Sequence, residues 1–202
     1  MEELIAKYEE GVEVIRAKDL KGGIALLEPL LNSAIDFARR EHARMLIGYA
    51  YSDLQQWDKS IEYFKTAMLN DIECLPARTA LGHSYIMTKR YDDALEAFRT
   101  AVQLAPNSAQ AHHGLGWALL EIGKDLDEAL YQIQEALRIE PNSAAILDSL
   151  GWALYKMGDI DEATKQLEKA VEIDPDNRTI LEHRKVIRTE SKKRAERKDD
   201  NE

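Results

Sequence analysis

The sequence predicts an all-α protein built from one helix-turn-helix unit that is repeated along the chain. A phrase of about 34 residues recurs four times between residues 41 and 177, and a period of this length is typical of small units that stack on their own copies. Within each phrase, apolar residues are spaced three, four and seven apart, which marks one face of a helix. The chain has only five Pro in 202 residues, and the abundance of Ala, Leu, Glu and Lys favours helices.

Residues 4–40 form a degenerate first copy of this unit. Tyr8 and Gly11 lie in its first helix, and an apolar series over residues 24–30 indicates its second helix. Pro29 falls inside that series. Because Pro cannot donate a backbone hydrogen bond, we expect it to kink the second helix or to delay its start.

Four more regular copies follow, at residues 41–74, 75–108, 109–143 and 144–177. The first half of each copy contains a Gly between apolar residues, and the second half contains small residues at a helical spacing. Small residues at these places allow two helix backbones to approach closely, so each copy predicts a pair of packed helices. The aligned phrases are Ile47-Gly48-x-x-Tyr51, Leu81-Gly82-x-x-Tyr85, Leu115-Gly116-x-x-Leu119 and Leu150-Gly151-x-x-Leu154.

The ends of the helices are also visible in the sequence. Pro106 and Pro141 cannot continue a helix and should end the second helices of their units. Asn-Ser pairs follow both prolines, and Asn and Ser are good N-caps for the next helix. The turn between Gly123 and Ala129 is one residue longer than its counterpart in the next copy. Acidic residues at the starts of second helices should cap them and meet the positive helix end; they are Asp58, Asp92 and Asp161.

The C-terminal region predicts a charged helix over residues 178–198 that covers the last repeat. Its apolar residues are few, and they include Ile180, Leu181, Val186 and Ile187. A polar terminal helix of this kind shields the core of a repeat protein from water. We expect residues 199–202 to form a disordered tail.

These motifs resemble the tetratricopeptide repeat, whose pattern is W-x2-L-G-x2-Y, then A-x3-F, then P. The copy at 75–108 departs only at the leading aromatic, where it has Arg78. The resemblance implies a right-handed superhelical solenoid of helix-turn-helix repeats with a C-terminal capping helix, in a single domain over residues 1–198. It also implies a non-catalytic scaffold or adaptor, which binds a partner peptide or helix in a concave groove lined by the first helices.

The resemblance places the groove at fixed positions of each unit. The ninth position carries one ring or imidazole per copy, and aromatic and Met side chains suit an apolar or amphipathic peptide. Trp117 and Trp152 could instead pack between neighbouring helices, and the sequence leaves both alternatives open. The chaperone-binding variant of the family clamps a terminal carboxylate with Lys and Asn, but the positions it uses hold Met45, Tyr49, Thr79 and Ala80 in this chain. The predicted groove residues are Met45, Tyr49, His83, Met87, His113, Trp117, Glu121, Asp148, Trp152, Tyr155 and Lys156.

Other chemistry has weak support in the sequence. Gly114-Leu115-Gly116 resembles the start of a dinucleotide loop, but no strand precedes it and the repeat explains Gly116. His83 and either His112 or His113 could share a metal with Glu121. We expect neither a cofactor nor a metal. The sequence shows no nucleophile paired with a base, so it does not indicate an enzyme.

Charge and composition limit the kinds of partner that we expect the chain to bind. The net charge is −10, and residues 1–177 carry 31 acidic against 18 basic residues, whereas residues 178–202 are basic. An acidic body is a poor match for nucleic acid. The acidic start, the single Cys74 and the lack of an apolar stretch that could insert into a membrane indicate a cytoplasmic protein. We therefore expect a protein or peptide ligand. The alternative is self-association, in which the first repeat or the C-terminal helix binds a neighbour.

Overall fold

The fold consists of paired helices, as the sequence predicts. The structure is a computed structural model that describes residues 1–71 and 74–199, and no strand occurs among them. The predicted all-α repeat class is confirmed. The α-helices are α1 (Glu2–Arg16), α2 (Leu20–Leu27), α3 (Phe37–Asp53), α4 (Trp57–Asn70), α5 (Leu75–Met87), α6 (Tyr91–Leu104), α7 (Ala109–Ile122), α8 (Leu126–Ile139), α9 (Ala144–Met157), α10 (Ile160–Ile173) and α11 (Arg178–Asp199).

Contacts divide the chain into two compact units, Met1–Leu104 and Ala105–Glu202. The first unit contains α1 to α6 and the second contains α7 to α11. Within each unit, every odd-numbered helix up to α9 packs on the even-numbered helix that follows it. Within the described residues, no helix is both long enough and apolar enough to cross a bilayer. The single domain over residues 1–198 stays a prediction.

The repeated Gly lies where the two helices of a pair come closest. A Cβ atom at Gly48 would lie 2.7 Å from the ring of Phe64, and one at Gly116 would lie 2.6 Å from Cγ1 of Ile133. Contacts below 3.0 Å essentially never occur for real Cβ atoms. The prediction that the repeated Gly allows the two helices to approach closely is therefore confirmed.

A left-handed residue turns the chain between the two helices of every repeat. In the last two repeats a glycine, Gly123 or Gly158, is left-handed, and Asp125 is left-handed as well in the longer of these turns; in the first three repeats the residue is not a glycine. The turn at residues 123–125 is one residue longer than the turn at 158–159, which confirms the predicted insertion. The left-handed residues of the first three repeats have φ angles of 68°, 58° and 60°, and they are Lys18, Gln55 and Lys89.

Helix caps agree with the sequence in part. The helices α6 and α8 end at Leu104 and Ile139, just before the two prolines. Ser108 caps α7 by accepting a hydrogen bond from the backbone N–H of Ala111, at 3.2 Å. Ser143 occupies the N-cap position of α9, without a side-chain hydrogen bond to the helix.

The predicted N-cap role of the three acidic residues is wrong, although all three lie in the first turn, near the positive helix end as predicted. Asp58 and Asp161 lie inside the first turns of α4 and α10, and Asp92 lies in the first turn of α6. The N-cap of α10 is Asp159, whose carboxylate accepts from the backbone N–H of Glu162 at 3.1 Å. The N-cap of α4 is Gln56, which makes no such bond. Each turn ends earlier than expected, because the left-handed residue reverses the chain directly before the cap.

The degenerate first repeat shares a hydrophobic core with α3 of the next repeat. Pro29 ends α2 at Leu27, and the chain continues as a 3-10 helix over Glu28–Asn32. This irregular second half still buries apolar side chains against α3. The core contains Ile24, Leu27, Leu30, Ile35, Ala43, Ile47, Ala50 and Tyr51.

The predicted capping helix is α11. Its Ile180 and Ile187 are buried in the core of the last repeat, together with Leu147, Ile160 and Leu167. Residues 200–202 of the predicted tail lie outside the described residues, whereas α11 extends to Asp199.

Candidate functional site

The groove residues predicted in the first unit lie on α3 and α5, which contact each other. Tyr49 is 40% exposed; its ring meets Phe64 edge-on at 5.1 Å, and its hydroxyl donates to the carbonyl oxygen of Pro76 at 3.5 Å. His83 is exposed and stacks on Trp57 with 6.1 Å between ring centroids.

Met side chains flank these rings. Met87 is 46% exposed, one turn beyond His83 on α5, while Met45 is partly buried on α3. The first unit therefore presents a ring, an imidazole and a thioether to solvent. None of the three side chains carries a formal charge when the imidazole is neutral.

In the second unit, the predicted groove residues of α7 are less exposed. His113 and Trp117 are partly buried, and Glu121 is exposed. His113 Nε2 lies 2.8 Å from the hydroxyl of Ser149 on α9. Burial lowers the pKa of His113, because an imidazolium loses hydration there, and the nearby carboxylate of Asp148 acts in the opposite direction.

The predicted groove residues of α9 contact the C-terminal helix. Asp148 is only 6% exposed, and its two carboxylate oxygens lie 2.9 and 3.0 Å from Nδ1 of His183 on α11. The His183 ring also stacks on Trp152, with centroids 4.2 Å apart and planes at 12°. Trp152 stacks in turn on Tyr155 at 5.1 Å, and Nζ of Lys156 lies 5.7 Å from its ring.

The sequence left Trp117 and Trp152 equivalent, and both are partly buried in the structure. A ring from α11 stacks on Trp152. The sequence interpretation missed His183. A signal was available, since His183 is the sixth residue of a further unit counted from Arg178, the position that Ser149 has in its unit. As a partner-binding site, the eleven groove residues stay a prediction.

Histidines of α7 already have partners within the chain. The buried His112 uses both ring nitrogens: Nδ1 lies 2.6 Å from Oε1 of Gln132 and Nε2 lies 3.0 Å from the carbonyl oxygen of Pro106. Among the described residues, no group of three or more His, Cys, Asp or Glu has the geometry of a metal site. Cys74 is a partly buried free thiol.

Comparison with known families identifies the repeat. Three models described as tetratricopeptide repeat match residues 41–71, 79–144 and 123–181. Together these matches cover about two thirds of the chain. Comparison with curated proteins gave no match.

Solved structures of similar fold cover most of the chain. The crystal structure of TTC0263, a thermophilic TPR protein of Thermus thermophilus, gives a TM-score of 0.73 at 21% identity, covering 92% of this chain and 97% of that one. A crystal structure of MamA gives 0.67 at 24% identity, with 87% and 94% covered. YrrB, described as a TPR protein with an unusual peptide-binding site, gives 0.62 at 22% identity, with 89% and 90% covered. At these identities the likeness concerns the fold alone.

Proposed function

This chain belongs to the tetratricopeptide repeat family, and we propose that it is a non-catalytic adaptor that binds a segment of a partner protein along the first helices of its repeats. The observation that carries the proposal is the exposure of Tyr49, His83 and Met87 on two adjacent first helices. Side chains that serve packing alone would be covered there, as Tyr51 and Tyr85 are.

The chemistry of these side chains indicates the kind of ligand. Tyr and Met offer large, adaptable contact surfaces, and aromatic residues are enriched where binding energy concentrates. An apolar or amphipathic segment would desolvate them at little electrostatic cost. The described peptide-binding site of YrrB is a precedent for this use of the fold.

In the second unit, Asp148 and Trp152 already contact His183 on α11. A ligand could reach them only by displacing this helix. The helix α11 would therefore close the predicted groove of this unit at α9.

A pair of charge substitutions tests the proposal. We expect His83→Glu with Met87→Glu to abolish capture of the partner from an extract of the native source, because two carboxylates would be buried against an apolar ligand. The matched control is Leu69→Glu with Tyr131→Glu, which adds the same two charges at exposed apolar residues of second helices. Circular dichroism would establish that all variants keep their helix content. Equal capture by the groove variant, or equal loss in the control, would contradict the proposal.

Self-association is the second candidate, because the basic helix α11 could bind the acidic body of another copy. Light scattering over a concentration series distinguishes the candidates. A constant monomer mass excludes self-association. A mass that rises with concentration, and falls back in the His83→Glu/Met87→Glu variant, would assign the groove to a second copy instead of a foreign partner.

A further inference from the structure

The helix α11 occupies the place of a first helix in a further repeat. In units counted from 109 and 144, a hydrogen bond joins the fifth residue of one first helix to the sixth of the next, His113 to Ser149. The contact of Asp148 with His183 repeats this register when the next unit is counted from Arg178. The third and tenth positions of the units support the same register, because the residues there are buried in all five helices, α3, α5, α7, α9 and α11. These residues are Ala43, Ala77, Ala111, Ile146 and Ile180, and Ala50, Ser84, Ala118, Ala153 and Ile187.

The face of α11 that would receive its own second helix is basic. In α9 this face carries Gly151, where an added Cβ would lie 3.1 Å from the carbonyl oxygen of Ala163 on α10. In every regular unit, the seventh and eleventh positions are apolar and the eighth position is Gly. In α11 the same three positions are Arg184, Lys185 and Arg188. In the part of the chain that the structure describes, no helix covers this face.

An open groove of ≈ 570 Å³ lies along this face, between α10 and α11. The side chains of Arg184 and Arg188 both reach one carboxylate oxygen of Glu168, at 3.1 Å and 2.7 Å, so a single acid faces two guanidinium groups. Lys185 and Lys192 are exposed beside them. The groove therefore keeps a positive charge within a chain whose net charge is −10.

We propose that this surface, the basic groove of α10 and α11, binds an acidic amphipathic helix of a partner protein. The occupant is a helix because the corresponding face of each other first helix is covered by a helix. It is acidic because Lys185, Arg188 and Lys192 are spaced three and four apart along α11, which matches carboxylates at the same spacing on a second helix.

The groove also offers an apolar contact. Leu181 occupies the position that Leu147 has in α9, but it is 38% exposed, whereas Leu147 is buried. Lys185 stands where the other units have Gly, so the occupant cannot come as close as α10 comes to α9. The Lys stem can fill that distance while its ammonium group binds a carboxylate.

The charge of the remaining chain favours a protein partner over a phosphate polymer. Residues 1–177 carry 31 acidic against 18 basic residues. Nucleic acid gains affinity when many cations neutralise successive phosphates, and a short basic groove on an acidic body repels the strand beyond it. A helix of a few turns fits within the groove and avoids that repulsion.

Fluorescence anisotropy with a designed peptide tests this inference. The probe is a labelled peptide of about 20 residues, long enough to form a helix, with Glu and Leu on one face at spacings of three and four. We expect it to bind the full chain at low salt and to bind about tenfold more weakly to the Lys185→Glu/Lys192→Glu variant, which replaces two attractions by repulsions. The matched control is Lys169→Glu/Lys193→Glu, with the same charge change at exposed residues of α10 and α11 outside the groove lining, and we expect it to bind within about twofold of the parent.

Four results would overturn the inference. A scrambled peptide of the same composition could bind equally well, or the control variant could lose as much affinity, and either would indicate bulk charge. A single-stranded oligonucleotide, or vesicles of phosphatidylserine and phosphatidylcholine, could bind more tightly than the peptide through the same two lysines. Light scattering could show self-association that Lys185→Glu/Lys192→Glu removes, which would assign the groove to a second copy.

The peptide-binding test and the test of the proposed adaptor function can succeed or fail independently. The groove lining shares no residue with the predicted concave site, so His83→Glu/Met87→Glu should leave peptide affinity unchanged. The partner capture lost in that variant should conversely persist in Lys185→Glu/Lys192→Glu.

Discussion

Replacement of Gly82 by Ala tests how the helices of a repeat approach each other. A Cβ atom at this position would lie 2.7, 2.8 and 3.0 Å from three ring atoms of Phe98 on α6, and no backbone atom is among these contacts. Phe98 is buried, so its ring has little room to move. The added methyl group must therefore displace the ring or separate α5 from α6.

Two opposing effects set the size of the change. Overpacking of a core lowers the free energy of unfolding by about 1–3 kcal/mol, whereas Ala in place of Gly within a helix raises it by up to about 1 kcal/mol. We expect Gly82→Ala to lower the free energy of unfolding by about 1 kcal/mol. In a Phe98→Leu background the ring is absent, so the same substitution should be neutral or stabilising. The coupling energy between the two sites should then be about 1–2 kcal/mol.

This double-mutant cycle is measured by urea denaturation, followed by circular dichroism, of the parent, both single variants and the double variant. It requires that the slope m of the unfolding free energy against urea concentration stays constant. The pair Gly116→Ala and Ile133→Ala gives a comparison. There an added Cβ would also lie 3.0 Å from the backbone carbonyl oxygen of Ala129, so removal of the Ile side chain should restore less stability. Additive effects for Gly82 and Phe98 would refute the close-approach reasoning.

Three further predictions each concern one feature of the fold. At left-handed positions, Gly158→Ala should lower the free energy of unfolding by about 1 kcal/mol through its backbone alone, because nothing lies within 4 Å of the added Cβ. Gln55→Gly should raise that free energy by about 0.5 kcal/mol, and urea denaturation checks both. Asp148→Asn should weaken the attachment of α11 by about 1–2 kcal/mol, visible as faster hydrogen exchange of α11 amides, and unchanged exchange would count against the His183 contact. Burial lowers the pKa of His113, so the unfolded chain gains a proton first and the free energy of unfolding should fall as pH drops below about 6.5; a pH series on His113→Gln should lack this component.

The paired helices could be predicted from the sequence because their determinants are local and repeated. Gly82 and Pro106 belong to the phrase itself: Gly82 lies against Phe98 of α6, and α6 ends just before Pro106. The start of α10 could not be predicted to the residue. Its cap is Asp159 instead of Asp161, because the left-handed Gly158 sets where the turn ends, and a backbone angle is not visible in a pattern of residue types.

Departures from the repeat pattern had no explanation in the sequence. Ser60 stands where the other regular copies have Ala, and its hydroxyl is fully buried. The structure gives this hydroxyl two partners, the hydroxyl groups of Ser52 at 2.6 Å and Ser84 at 3.0 Å. A polar group in a core needs such partners, and the three serines lie on three different helices. A one-dimensional alignment treats each position separately and therefore misses them.

The predicted groove shows the same limit. The alignment gave Tyr49 and Trp152 the same place in their units, and it gave no reason to treat them differently. Their surroundings differ because α11 follows the last repeat and places His183 on Trp152. The same helix buries apolar residues at the third and tenth positions while it replaces the Leu-Gly-x-x-Tyr phrase by Arg184-Lys185-x-x-Arg188. One side of α11 thus continues the stack, and the other side ends it with positive charge. The two proposals therefore differ in the basis of specificity, which is electrostatic on α11 and lies in exposed rings and a thioether on α3 and α5.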